Sequence, residues 1–111
     1  LYLNKVSISD CKQDFGKQPD EKNQVVSVSE SEDSLNIEIK LWGNCCHSFL
    51  CDLQVADDKI INLITHGYGA FYCDCTCCYA LTFHISTMRV EGYKKLETIM
   101  INNDLKSIKK K

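Results

Sequence analysis

Hydrophobic and polar residues alternate along most of this chain. Over residues 34–41 the apolar side chains are Leu35, Ile37, Ile39 and Leu41, and polar or charged residues stand between them. A period of two places successive side chains on opposite faces of a β-strand. This segment is therefore predicted to be a strand that covers a hydrophobic core with one face and meets solvent with the other.

The same alternation recurs in several other segments. The predicted strands cover residues 2–8, 24–29, 34–41, 49–55, 59–66, 77–85 and 96–101. The acidic turn at 56–59 favours a hairpin between the fourth and fifth of these strands. The fifth strand carries apolar residues on both faces, which indicates a central position in its sheet. No segment shows the i, i+3, i+4, i+7 apolar spacing of an amphipathic helix.

About seven short strands, separated by turns every ~8–12 residues, are typical of an all-β fold. We predict an antiparallel β-sandwich that forms one domain over residues 1–111. Residues 10–23 are polar, contain Pro19 and are predicted to form a surface loop. Residues 104–111 form a basic tail that is predicted to be frayed, and tethering of its lysines to an acidic surface is the alternative.

Composition and charge narrow the functions open to the chain. Its 111 residues include 13 Lys+Arg and 15 Asp+Glu, for a net charge of −2. Binding through phosphate neutralisation needs a basic surface, so nucleic acid is not an expected partner. No run reaches the ~18 apolar residues that a membrane-spanning helix needs. No catalytic or cofactor motif stands out, and we expect a protein that is not an enzyme and binds no cofactor.

Eight cysteines are the most distinctive part of the composition. They are Cys11, Cys45, Cys46, Cys51, Cys73, Cys75, Cys77 and Cys78. An even number in a short chain favours a disulfide framework. In an extended chain Cys73, Cys75 and Cys77 point in parallel from one face, two rises of ~3.3 Å apart, so bonds among them are unfavourable. We therefore expect disulfides between the 45–51 group and the 73–78 group, clustered at one end of the sandwich, with the individual pairs left open.

A thiolate site is the alternative interpretation of these cysteines. Such a site would bind Zn²⁺ or Cu(I), or serve a redox reaction, through His47 and the cysteines at 45, 46, 51, 73, 75, 77 and 78. The Cys-x-Cys spacing of residues 73, 75 and 77 departs from the Cys-x₂₋₄-Cys spacing of ordinary zinc sites, and the βαβ pattern that a thioredoxin-like redox fold needs is missing from the sequence.

Aromatic residues provide a second candidate site. Tyr68, Phe71 and Tyr72 lie in a glycine-containing segment, and Trp42 ends the third predicted strand. Exposed rings in such positions contact a protein or glycan partner, whereas buried rings close the end of a sandwich. Both interpretations are open from the sequence alone.

Two cysteine-containing segments also carry a resemblance to known proteins. They are Gly43-Asn44-Cys45-Cys46 and Cys73-x-Cys75-x-Cys77-Cys78-Tyr79, the second followed by an alternating strand. Over residues 35–101 the chain resembles small, cysteine-rich, uncharacterised envelope lipoproteins of Bacteroides-type bacteria. The resemblance implies no activity and no catalytic residue. It implies an exported protein of the cell envelope or extracellular space, with its signal peptide and a lipid anchor upstream of Leu1.

The sequence thus leads to one functional hypothesis. We expect a non-enzymatic exported or lipid-anchored protein, stabilised by disulfides, with a structural or partner-binding role.

Overall fold

A computed structural model of the chain describes residues 2–10, 23–56, 60–71, 73, 76–87 and 98–110. These residues form eight β-strands: β1 Tyr2–Asp10, β2 Gln24–Glu30, β3 Ser34–Asn44, β4 Ser48–Ala56, β5 Ile60–Tyr68, β6 Thr76–Ser86, β7 Thr98–Ile101 and β8 Asp104–Lys110. Within these ranges no helix is long and apolar enough to span a membrane.

The strands form two four-stranded sheets that pack against each other. The first sheet has the order β1-β6-β3-β2 and the second has the order β4-β5-β7-β8. The predicted all-β sandwich is confirmed, with one difference in strand direction. β5 and β7 pair in parallel, because the chain crosses to the first sheet as β6 between them. The second sheet is therefore mixed, not purely antiparallel.

The core lies between the two sheets and follows the alternation of the sequence. β3 and β6 are the central strands of the first sheet, and every second residue is buried over 35–41 of β3 and over 81–85 of β6. The buried core residues are Leu35, Ile37, Ile39, Leu41, Ile61, Leu63, Leu81, Phe83, Ile85, Ile99 and Ile101. Each such side chain contributes about 1.5–3 kcal/mol through removal of apolar surface from water.

β5 occupies the central position that its two apolar faces predict. It pairs with β4 on one side over nine residue pairs, as the predicted hairpin, and with β7 on the other. Asn62 of β5 is only 1% exposed. Its Nδ2 donates to Asn103 Oδ1 at 2.8 Å and to Gln54 Oε1 at 3.3 Å. Its Oδ1 accepts a hydrogen bond from the Asn103 N–H at 2.8 Å. The buried amide is thus satisfied across the sheet.

A tight turn connects β7 to β8. Its two residues, Asn102 and Asn103, have φ values of 51° and 59°, as a type I′ hairpin turn requires. Asparagine tolerates this left-handed conformation better than most residues. The prediction of a frayed tail is wrong for residues 104–110, because this turn folds them back onto β7.

Two sequence predictions fall largely on residues outside the described ranges. Of the surface loop predicted at 10–23, residues 11–22 are not described; residue 10 ends β1 instead. Residue 23 precedes β2, and its Oδ1 accepts a hydrogen bond from the Trp42 N–H at 2.9 Å. Residues 57–59 of the predicted hairpin turn also lie outside the described part of the chain.

Candidate binding surface at the disulfide end

Two disulfides join the places where the chain crosses between the sheets. The β3–β4 connection contains Cys45 and Cys46, and the β5–β6 connection reaches the same end of the sandwich. Cys45 bonds to Cys77, with a Cα–Cα distance of 5.0 Å, and Cys46 bonds to Cys73, with a distance of 5.5 Å. Both distances are ordinary for disulfides. The predicted bonding between the two cysteine groups is confirmed.

The other cysteines differ in their state. Cys78 is also disulfide-bonded. Cys51 is a free, half-buried thiol, so its assignment as a disulfide candidate is wrong. It lies within β4, opposite Thr65 of β5, and not in the connection that holds Cys45 and Cys46. Cys11 and Cys75 lie outside the described residues.

The thiolate alternative is wrong for five of its cysteines. Residues 45, 46, 73, 77 and 78 are disulfide-bonded, and an oxidised sulfur offers no thiolate to a metal ion. Among the described residues no three His, Cys, Asp or Glu side chains converge on one point. The disulfides therefore brace the β3–β4 connection against the β5–β6 connection, through Cys73, and against the start of β6, through Cys77.

Asn44 anchors the same two connections through hydrogen bonds. Its Nδ2 donates to the Cys73 carbonyl oxygen at 2.5 Å, and its Oδ1 accepts from the Cys73 N–H at 3.0 Å. The same Oδ1 accepts from the Cys46 N–H at 3.0 Å. The backbone carbonyl of Asn44 accepts from the Tyr79 hydroxyl at 2.9 Å. One side chain thus holds the backbone on both sides of the Cys46–Cys73 disulfide.

An aromatic pair closes the core beneath this end. The rings of Phe49 and Tyr79 meet edge to face, with centroids 4.9 Å apart and planes at 74°. Phe49 lies so close to Gly43 that a Cβ built there would be 2.8 Å from the ring. At Gly69 a Cβ would be 3.0 Å from the Cys46 carbonyl oxygen and 3.1 Å from the half-buried His47 ring. These glycines permit close packing that any larger residue would disturb.

Large apolar side chains are exposed near the end of the sandwich that the two disulfides join. Leu50 is 61% exposed, Tyr68 is 47% exposed and Phe71 is 77% exposed. Ser48 pairs with Tyr68, and Leu50 pairs with the exposed His66. Directly opposed residues share a face of a sheet, so Leu50 and Tyr68 are diagonal neighbours on the outer face of the second sheet. Leu50, His66, Tyr68 and Phe71 are called the apical surface below.

The structure divides the aromatic residues that the sequence grouped together. Tyr68 and Phe71 belong to the apical surface. Trp42 lies opposite Cys78 in the first sheet, on the face that points away from the core, and so faces the opposite side of the sandwich from Tyr68. Tyr72 lies outside the described residues.

A polar cluster that the sequence did not predict lies on the outer face of the first sheet. His84 Nε2 is 3.0 Å from Ser7 Oγ, and His84 Nδ1 is 2.8 Å from Asn36 Oδ1. The order matches a nucleophile, a base and an orienting amide. Ser7 lies on the edge strand β1, and His84 and Asn36 lie on the central strands β6 and β3. The cluster links these three strands through side-chain hydrogen bonds.

Comparison with known proteins gives no relative from which a function could be transferred. No protein family, no curated protein and no solved structure matches this chain significantly.

Proposed function

We propose that this protein is a non-enzymatic, exported binding module that contacts a protein partner through its apical surface. The proposal combines two features that meet at one end of the sandwich. The disulfides support the cellular location, and the exposed apolar side chains support the binding role.

The oxidised cysteines support export. Disulfides form and persist in oxidising compartments and are rare where cytosolic reductants act. Cys45–Cys77 and Cys46–Cys73 each close a long loop of the chain. The expectation of an envelope protein with a lipid anchor upstream of Leu1 belongs to the same proposal and is supported by the sequence resemblance alone.

The exposure of Phe71 is the observation that carries the binding role. Scattered exposed apolar residues are ordinary, but Leu50 and Tyr68 are neighbours on one face and Phe71 extends from the same end. Aromatic side chains that project from a rigid support are the anchors of protein interfaces. The aliphatic Leu50 beside Tyr68 adds apolar area of the kind that a protein partner covers on binding.

Site-specific crosslinking tests the binding role. A photoreactive phenylalanine analogue replaces Phe71 in one variant and Ile8 in another, in the organism that encodes the protein. Ile8 is 48% exposed on β1 of the other sheet and is the matched control. We expect one defined crosslinked species from position 71 that position 8 does not give. Equal crosslinking at both positions, or none at position 71, would contradict an apical binding surface.

The location is tested on the same cells. Fractionation combined with thiol alkylation before and after reduction is expected to find the protein outside the cytoplasm, with residues 45, 46, 73 and 77 protected until reduction. A cytoplasmic protein with these four thiols free would refute the export proposal.

A further inference from the structure

A serine, a histidine and an asparagine are hydrogen-bonded in a row on the outer face of the first sheet. His84 Nε2 is 3.0 Å from Ser7 Oγ, and His84 Nδ1 is 2.8 Å from Asn36 Oδ1. The Asn36 oxygen can only accept a hydrogen bond, so Nδ1 of the imidazole carries the proton. His84 Nε2 is then an acceptor, and the Ser7 hydroxyl donates to it. An unprotonated imidazole nitrogen beside a serine hydroxyl is the arrangement that activates a serine nucleophile.

The strand register holds His84 in this position. It lies on the central strand β6, directly between Asn36 of β3 and Lys5 of β1. His84 and Asn36 are half-buried, whereas Ser7 is exposed on the edge strand β1. The imidazole is therefore oriented by its neighbours on two strands, while the hydroxyl stays open to a reagent in solvent.

A cation lies within reach of the same hydroxyl. Lys5 and Ser7 are two residues apart in a regular part of β1, where they oppose His84 and Thr82. Their side chains therefore leave the same face of the strand, with Cα atoms about 7 Å apart. The exposed Lys5 side chain is long enough to span this distance. Its ammonium group can donate hydrogen bonds to negative charge that develops on an oxygen atom beside Ser7.

We propose that Ser7 is an acyl-acceptor site, with His84 as its general base and an activated carboxylic ester as the acyl donor. This inference goes beyond the proposed function and does not rest on it. The Ser7 oxygen forms a bond to the ester carbonyl carbon, and its proton passes to His84 Nε2. Lys5 stabilises the negative charge that the carbonyl oxygen then carries.

The second half of the step restores the imidazole. The bond between the carbonyl carbon and the leaving oxygen breaks, and both of its electrons go to that oxygen. His84 Nε2 returns its proton to the departing alcohol or phenol. The acyl group remains on Ser7 as an ester, which is a covalent modification of the protein and needs no oxidant or reductant.

Ser9 is an internal control for the reactivity of Ser7. It is exposed on the same strand and the same face, but it lies opposite Ala80 and not beside a histidine. The full chain is incubated with p-nitrophenyl acetate, and peptide mass spectrometry follows the acetyl group at each serine with time. General-base catalysis contributes about 10²–10⁴-fold, so we expect acetylation of Ser7 to be about a hundredfold faster than that of Ser9. Equal rates at the two serines overturn the proposal.

Variants then separate the roles of His84 and Asn36. His84→Gln removes the base and should lower the rate at Ser7 to about that at Ser9; an unchanged rate overturns the proposal. Asn36 is a positioning residue, so Asn36→Leu should slow the reaction, and Asn36→Asp, which keeps an acceptor for the Nδ1 proton, should restore it. A merely structural Asn36 would give no such rescue. Ser9→Ala should leave the rate at Ser7 unchanged.

Discussion

Asn44 holds Cys73 by both of its backbone groups, 29 residues away along the chain. The amide nitrogen donates to the carbonyl oxygen, and the amide oxygen accepts from the N–H. A disulfide then joins the same Cys73 to Cys46. The covalent and hydrogen-bonded links are therefore parts of one brace, and each positions the groups that the other needs.

Asn44→Ala removes both side-chain bonds to Cys73 and leaves its partly buried backbone groups unsatisfied. We expect the free energy of unfolding to fall by about 2 kcal/mol. Asn44→Asp keeps the acceptor but places a carboxylate against the Cys73 carbonyl, so it should not restore stability. Urea denaturation measures both variants. Asn4→Ala, at an exposed position on β1, is the control and should change stability by less than about 0.5 kcal/mol; an equal loss there would contradict this role for Asn44.

The two disulfides are expected to be redundant in the unfolded chain. Their cysteines are separated by 32 and 27 residues, and the Cys46–Cys73 loop lies inside the Cys45–Cys77 loop. Either bond alone restricts the unfolded chain by about 3.5 kcal/mol. The second bond adds much less, because the first already brings its cysteines close together.

Removal of one disulfide should therefore cost much less than removal of both. The paired variants Cys45→Ser/Cys77→Ser and Cys46→Ser/Cys73→Ser, and the fourfold variant, complete a double-mutant cycle in denaturant. Two single losses that add up to the fourfold loss would show that the bonds act independently and would contradict this expectation.

Gly43→Ala tests the close packing of Phe49. The added Cβ would lie 2.8 Å from Phe49 Cζ, and we expect a loss of about 1–3 kcal/mol from overpacking. Gly67→Ala is the matched control, since its nearest neighbours would be 3.4 Å away. Thermal unfolding compares the two variants. Phe49→Leu replaces the clashing ring with a shorter side chain. The loss of stability caused by Gly43→Ala should therefore be smaller in the Phe49→Leu background.

Much of the fold follows from local sequence pattern, and the exceptions have physical causes. The alternation in β3 and β6 predicts their buried faces because a period of two is a local property of a strand. β8 could not be predicted in this way because lysines interrupt its apolar residues, and its place depends on the conformation of Asn102 and Asn103. The parallel pairing of β5 with β7 depends on where the chain crosses between sheets, which no local pattern records.

Some features of the candidate site also follow from local sequence pattern, and others depend on the folded structure. Bonding between the two cysteine groups could be predicted because neighbouring extended cysteines point in parallel. The free state of Cys51 could not, since it depends on which sulfurs the folded connections bring together. The contacts of His84 with Ser7 and Asn36 span 77 and 48 residues of sequence, and only the sheet order makes them neighbours.

Asn103 separates a conformational effect from a hydrogen-bonding effect in the β7–β8 turn. Asn103→Gly introduces a residue that adopts the φ of 59° without strain, but it removes the side-chain oxygen that accepts a hydrogen bond from buried Asn62. Asn103→Ala loses both the tolerance of positive φ and the hydrogen-bond acceptor. We expect the alanine variant to be less stable than the glycine variant by about 1 kcal/mol, the cost of the left-handed conformation. Equal stabilities in urea would mean that the turn relaxes to another conformation.

Cys51 makes a pH-dependent contribution to stability whose sign follows from its burial. Removal from water raises the pKa of the Cys51 thiol above its ordinary value, because burial disfavours the thiolate. The unfolded chain then loses this proton at a lower pH than the folded chain does. The stabilising contribution is fully present below the unfolded pKa and is lost as pH rises through the folded pKa.

We therefore expect the wild-type chain to lose stability relative to Cys51→Ser as the pH rises through and above the ordinary thiol pKa. Near neutral pH, the difference in stability between the two proteins should not change with pH. Urea denaturation of both proteins at matched pH values measures it. Alkylation of Cys51 in the folded chain should also be slower at mildly alkaline pH than in the urea-unfolded chain, because fewer folded molecules carry the reactive thiolate. A wild-type chain that gains stability over Cys51→Ser with rising pH would show that the folded state favours the thiolate, the opposite of what burial imposes.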